Sequence, residues 1–239
     1  MKHLVITPCR RIGTALLALV AAMTLIRPVT MFAQPDPAKV QERVAAIKQS
    51  LAESQGKLKH YEWIETTVTS RKGEEVSRQQ NRCYYGADGG LQKVPLTPPA
   101  EKKGGLKGKK QAQIGEYMKN AGALAKSYLP PAPDKIQASM SAGKVSVEQL
   151  EAGKRVRVNF RDYAKPGDNL GIEVDMVNNR LLGVNVTTYM KEPKEAVKLD
   201  MKYGMLADST LFPDKTMLEA REVEMKIETD NSGYKKSGN

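Results

Sequence analysis

RVRVNFR at Arg155–Arg161, GIEVDM at Gly171–Met176, LDMK at Leu199–Lys202 and EVEMKIE at Glu222–Glu228 share one pattern. Apolar and polar residues alternate with a period of two, so each run has one oily and one charged face. Val156, Val158 and Phe160 stand against Arg155, Arg157, Asn159 and Arg161. Ile172, Val174 and Met176 stand against Glu173 and Asp175, Leu199 and Met201 against Lys198, Asp200 and Lys202, and Val223, Met225 and Ile227 against Glu222, Glu224, Lys226 and Glu228. Several such strands make an antiparallel sheet, wet on one side, with the other covered or holding something. Asp168-Asn169, Asn178-Asn179, Gly204, Asp208-Ser209 and Pro213-Asp214 separate the strands as turns. The firmest hairpin runs from Gly171 to Tyr189 through Val177-Asn178-Asn179-Arg180.

Upstream, Val40, Val44, Ile47 and Leu51 form one stripe of a helix over residues 36–57, with Asp36 as N-cap, Pro37 at the first position and Gly56 as a stop. Tyr61–Thr69 (YEWIETTVT) is a strand by its aromatic and β-branched content. Arg71-Lys72-Gly73 turns the chain into a polar strand, Glu75–Tyr85, and a short third strand at Leu91–Val94 follows. Ile114, Tyr117, Met118, Ala121, Leu124, Ala125 and Tyr128 predict a second amphipathic helix over 111–129, weakened by Gly115 and Gly122 and stopped by Pro130, Pro131 and Pro133. Asp134–Met140 fits one more short helix, while Val145–Leu150 suits strand or helix equally. Residues 95–110, rich in Pro, Gly and Lys, suit a flexible insertion, and 231–239 a frayed polar tail.

The N-terminus has secretory-signal form. Lys2, Arg10 and Arg11 precede the apolar run Ile12–Ile26, and Met31-Phe32-Ala33 before Gln34 offers a cleavage site, so residues 1–33 are expected to leave the mature protein. The whole chain carries +11; without residues 1–33 the balance is +7, and residues 101–110 alone hold +4. Cys9 precedes the apolar core, which is not the place of an acylated lipoprotein cysteine, and Cys83 is then the single cysteine of the mature chain, expected as a small buried hydrophobe. Without residues 1–33 one histidine, His60, and one cysteine remain, and they do not supply a zinc site. No serine sits in a nucleophile elbow and no glycine loop has phosphate-binding form, so no catalytic residue, metal or cofactor is expected.

Two surfaces are candidates for binding. The first is the apolar phase of the strands, Trp63, Val158, Phe160, Val174, Met176, Leu199, Met201, Val223 and Met225, whose methionines adapt to irregular partners. A carrier requires that Val158, Met176, Met201 and Met225 line one cavity. The second is Lys102, Lys103, Lys107, Lys109 and Lys110, suited to an anionic membrane surface; no aromatic residues are interleaved for base stacking, and nucleic acid is not expected.

The order of parts also resembles a known family. A signal, an amphipathic helix, Tyr61-x-Trp63-x-Glu65 opening a strand, a helical insertion, and Leu211-Phe212-Pro213 before a long alternating strand are similar to the LolA/LolB-like outer-membrane lipoprotein-sorting superfamily, with its RseB/MucB-type relatives. The resemblance implies an α+β fold: a curved antiparallel sheet, or half-open barrel, with helices packed on its concave face, as a single domain over residues 34–230. It also implies a non-catalytic, monomeric periplasmic protein that holds a lipid or lipoprotein acyl chain. The lysine-rich insertion is not part of that pattern, and no functional residue of the family carries over. The alternative is the same fold with a filled core, docking or sensing another envelope protein.

Overall fold

The computed structural model describes residues 37–98 and 105–237. The proposed signal sequence, Asp36, Lys102 and Lys103 therefore lie outside the described residues. The described elements are α1 (Pro37–Leu58), β1 (Tyr61–Arg71), β2 (Glu74–Tyr85), β3 (Leu91–Pro95), α2 (Gly105–Lys126), α3 (Pro133–Ser141), β4 (Val145–Glu151), β5 (Arg155–Arg161), β6 (Asn169–Asp175), β7 (Arg180–Tyr189), β8 (Ala196–Met205), β9 (Leu211–Ala220), a 3-10 turn (Arg221–Val223) and β10 (Met225–Lys236).

The ten strands form one antiparallel sheet in the order β3-β2-β1-β10-β9-β8-β7-β6-β5-β4. Its two ends, β3 and β4, do not pair, so the curved sheet stays open. The expected α+β architecture is present. Most neighbours in the sheet are consecutive in sequence, which short turns provide. The one long-range closure pairs β1 with the C-terminal β10, Val68 opposite Glu228.

All three helices lie on the apolar face. The row Phe160–Leu170–Val186–Leu199–Leu218–Ile227 crosses the sheet in register. Met118, Ala121, Ala125 and Tyr128 from the second helical segment and Ile136 from α3 join its buried members in one core. Small residues let α2 approach closely. A Cβ added to Gly122 would sit 3.4 Å from Leu218 Cδ2. Trp63, Tyr85, Phe212 and Tyr234 form a separate aromatic cluster at the other end, with Trp63 and Tyr234 stacked at 5.5 Å and Phe212 4.3 Å from Tyr234.

Five sequence expectations are corrected. Residues 105–110 are the opening turns of α2, so Lys107, Lys109 and Lys110 are helical. Lysine, glutamine and alanine favour helix strongly enough to carry Gly108 and Gly115, each worth about 1 kcal/mol against helix. Residues 231–236 are strand: Tyr234 packs on Trp63 and Phe212, and the β1 residues Glu62 and Tyr61 pair with Lys235 and Lys236. Val223 ends the 3-10 turn, Glu224 takes a left-handed conformation (φ 52°), and the alternation starts only at Met225. Met176 lies in the turn after β6, outside any strand. The open segment Val145–Glu151 is a strand, and Gly56 does not stop α1, which runs on to Leu58.

Candidate functional site

The register shows which face each candidate occupies. Phe160, Val174, Leu199 and Met225 are buried in the core, while Val158, Met201 and Val223 are packed at its margin. Trp63 belongs to the aromatic cluster, not to this group. Val158 and Met201 share one row, Val158–Ile172–Val184–Met201, and Met225 lies two rows away opposite Ala220, beyond the Phe160–Leu199 row. The four residues expected around one cavity are thus spread along the sheet. The Met201 row also loses its oil as it crosses the sheet: its next members are Thr216, Thr229 and Thr67.

An apolar seam remains where α1 and α2 both contact β9. Ile47 and Leu51 of α1, Ile114, Tyr117 and Leu124 of α2, and Met201, Leu218 and Ile227 of the sheet are packed on the core yet only partly buried. The Tyr117 phenol oxygen in this region is buried with no hydrogen-bond partner among the described residues. Burial holds its proton on, with smaller contributions from Glu195 and Glu222.

α1 and the α2 segment are tied down near their C-terminal ends, and α3 at its N-terminal one. Ser54 Oγ of α1 accepts a hydrogen bond from the Leu211 amide at 3.0 Å. Tyr128, just past α2, donates its phenol to Asp168 at 2.5 Å and shares a 2.8 Å bond with Thr188. Burial first, then the Asp168 hydrogen bond, pushes the Tyr128 phenol far above its ordinary pKa. Asp168 also accepts from the amides of Ala164 and Lys165. The Ala132 amide that leads into α3 donates to Tyr163 Oη at 2.6 Å.

The opposite face carries a polar hollow of about 430 Å³, lined by Arg157, Glu173, Asn185, Asp200, Lys215 and Asp230 among others. Gly183 leaves it open: a Cβ there would meet the Met201 carbonyl oxygen at 2.8 Å. Its charges close on one another, Arg157 with Glu173 at 2.6 Å and Glu148 at 3.0 Å, and Lys215 with Asp230 at 3.1 Å. These pairs neutralise much of the hollow's charge, and Asn185 Oδ1 within it is buried with no hydrogen-bond partner among the described residues.

A second pocket, of about 470 Å³, lies beside α1. It is lined by Ser50 of α1, by Asn178, Asn179 and Arg180 of the β6–β7 hairpin, and by Met205, Ser209 and Leu211 of the β8–β9 hairpin. Sequence reasoning placed Asn178–Arg180 in a turn and missed their meeting with Ser50. The only available signal was the two hairpin turns, and nothing local says that both turns end beside α1.

Cys83 is fully buried, and burial first, then Glu65, pushes its thiol up. His60 is exposed in the turn between α1 and β1. Among the described residues no group of three or more His, Cys, Asp or Glu side chains is placed to hold a metal ion. No described helix is long and apolar enough to cross a membrane.

Asp208 beside the second pocket carries a pH signature. It accepts from the Thr210 hydroxyl at 2.6 Å and the Tyr61 phenol at 2.8 Å, and these bonds, Thr210 first, pull its carboxyl down to about 2. A depressed carboxyl stabilises the fold above the unfolded value near 4, and that contribution disappears as pH falls toward 2. Acid unfolding of Asp208→Asn is therefore expected to fall less steeply than wild type between pH 4 and 2. Parallel curves would rule this contribution out.

No protein-family model matches the chain, and no curated protein matches it. Among solved structures it is similar to a DUF1329 family protein from Desulfovibrio piger, at 9% identity and TM-score 0.40 over 84% of this chain and 94% of that one. It is also similar to a LolA superfamily protein from Nitrosomonas europaea, at 9% identity and TM-score 0.37 over 81% of this chain and 94% of that one.

Proposed function

We propose that this is an exported, non-catalytic binding protein that holds the acyl chain of a lipid or lipidated protein in the seam between its helices and its sheet. The observation that carries the reading is the half-buried margin of Ile47, Leu51, Ile114, Leu124, Met201, Leu218 and Ile227. These side chains sit at the margin of the core, only partly buried. An alkyl chain laid along them removes apolar surface from water without breaking a hydrogen bond. The N-terminal signal pattern supports export to a bacterial periplasm. Lys107, Lys109 and Lys110 open α2, with no acid in its first turn. Cations there oppose the helix dipole, and an anionic membrane surface relieves that repulsion.

Burial of each methylene contributes about 0.8 kcal/mol. Ten buried methylenes give about 8 kcal/mol before the entropy of binding is subtracted. In a fluorescent-probe displacement assay, alkyl ligands of increasing length are expected to gain about fourfold in affinity per methylene until the seam is full. Leu218→Gln is expected to flatten that slope. Affinity independent of chain length would sink the carrier reading.

One observation favours the alternative, docking of another envelope protein. Val76, Leu91, Val94 and Leu96 are exposed apolar side chains on or beside the edge pair β2–β3. Native mass spectrometry of the protein from its own envelope separates the two readings, since the carrier brings a lipid mass and the docking module a protein mass.

A further inference from the structure

We propose that the pocket of Ser50, Asn178, Asn179, Arg180, Met205 and Ser209 receives an oxyanion, the phosphate or carboxylate that heads the acyl ligand. The inference rests on the seam reading above and names the polar end of the same ligand.

Arg180 supplies the argument. Its Nε is buried with no hydrogen-bond partner among the described residues. One terminal nitrogen reaches the Met205 sulfur at 3.8 Å, a weak acceptor, and the other reaches Asp175 at 3.5 Å. A guanidinium carries five donors and pairs best with a planar or tetrahedral oxyanion at shorter range. Here its charged partner is Asp175, in an ion pair at 3.5 Å that engages one terminal nitrogen and leaves Nε without an acceptor.

That carboxylate is already engaged. Asp175 accepts from the Asn178 side chain at 2.8 Å, the Val177 amide at 2.9 Å and the Asn178 amide at 3.0 Å. These bonds, the Asn178 side chain first, hold its carboxyl below the usual range. The other nearby acid, Asp208, is engaged by Tyr61 and Thr210. No carboxylate lines the pocket itself, whereas hydroxyl and amide groups do. The pocket therefore presents one under-satisfied cation among neutral donors.

Two non-glycine residues with left-handed backbone, Asn179 at φ 47° and Ser209 at φ 63°, line this same pocket from separate hairpins. Both are hairpin-turn positions, where left-handed backbone is the usual requirement of the turn. On the inner side, Leu211 lines the pocket and is tied to Ser54, next to the seam residue Leu51. The pocket thus borders α1, the helix that supplies Ile47 and Leu51 to the seam.

The test compares dodecyl phosphate, dodecanoate and the uncharged monododecyl glycerol on wild type, Arg180→Gln and Arg180→Lys. Wild type is expected to bind the two anions at least tenfold more tightly than the neutral ligand. Arg180→Gln should remove that preference and leave the neutral ligand unchanged, and Arg180→Lys should retain part of it. Equal binding of charged and neutral ligands by wild type, or equal loss of both in Arg180→Gln, would overturn the proposal. Inorganic phosphate alone, followed by amide NMR on wild type, separates headgroup from free anion. Shifts at Asn179 and Ser209 support the oxyanion site even if no alkyl ligand binds and the seam reading fails; no shift together with no charge preference refutes it.

Discussion

Phe160→Ala is expected to lower the stability of the fold by about 3–5 kcal/mol, the usual range for emptying a buried aromatic site. Phe160 is fully buried near the β4 end of its row, opposite Val145 on β4 and Leu170 on β6. Its ring meets Tyr163 edge to face at 6.5 Å. The surrounding groups come from the sheet, from the turn after β5 and from α3, so no single element can collapse into the gap. Interior atoms left without partners lose their dispersion contacts outright. Urea unfolding should show a lower midpoint with an unchanged slope, since the surface exposed on unfolding is nearly the same. Phe160→Leu should cost much less. A loss under about 1 kcal/mol for the alanine variant would mean that the helices move in to fill the space and that this part of the face is adaptable after all.

That expectation separates two roles that the sequence merges. Alternation identifies Phe160, Leu199 and Met201 equally as apolar-face residues, because period two reports the face and nothing else. Burial along the strand depends on where the helices cross. The closest approach recorded for α2 is at Gly122, over Leu218, and the sequence reads Gly122 only as a weak point of a helix. Leu199 is consequently core while Met201, two residues on, is margin. The same limit applies across the sheet. Met201 faces Thr216 and then Thr229 because sheet order puts β9 beside β8 and β10 beside β9, and the oily face narrows there.

The architecture itself was largely legible. Short turns between alternating strands force antiparallel neighbours, and the strands from Arg155 to Tyr189 lie where the pattern puts them. The C-terminal segment was misplaced because its composition is polar while tertiary contacts hold it in the sheet. Asp230, Asn231 and Ser232 look like a tail, yet Asn231 accepts the Trp63 indole N–H at 3.0 Å and donates to the Pro213 carbonyl at 2.8 Å. Those partners lie far away in the chain, where no local pattern shows them. Arg180 was hidden in the same way. A residue at the end of a hairpin turn is ordinarily solvated, and only the meeting of two hairpins with α1 gives it a pocket.

The polar latch at Asp168 is where a single change should loosen the helical cover most. Asp168 is 2% exposed. It accepts the Tyr128 phenol at 2.5 Å, the Lys165 amide at 2.9 Å and the Ala164 amide at 3.1 Å. Alanine at this position leaves three donors without their acceptor, and each buried unsatisfied donor costs about 1–3 kcal/mol. Asp168→Ala is therefore expected to destabilise by about 3 kcal/mol or more. Tyr128→Phe removes one donor but leaves Asp168 its backbone partners and should cost about 1–2 kcal/mol. The double variant should cost less than the sum, because once the carboxylate is gone the phenol has only Thr188 to bond. The stability loss should be uneven. Tyr128 ties the end of the α2 segment to the sheet, so amide exchange in α2 should accelerate more than in β6 or β7. Loosening that end also widens the seam, and alkyl ligands should bind Asp168→Ala with a faster off-rate. Strictly additive losses, or exchange that rises equally in α2 and the central strands, would show that Asp168 supports the core as a whole and does not act as the latch of its cover.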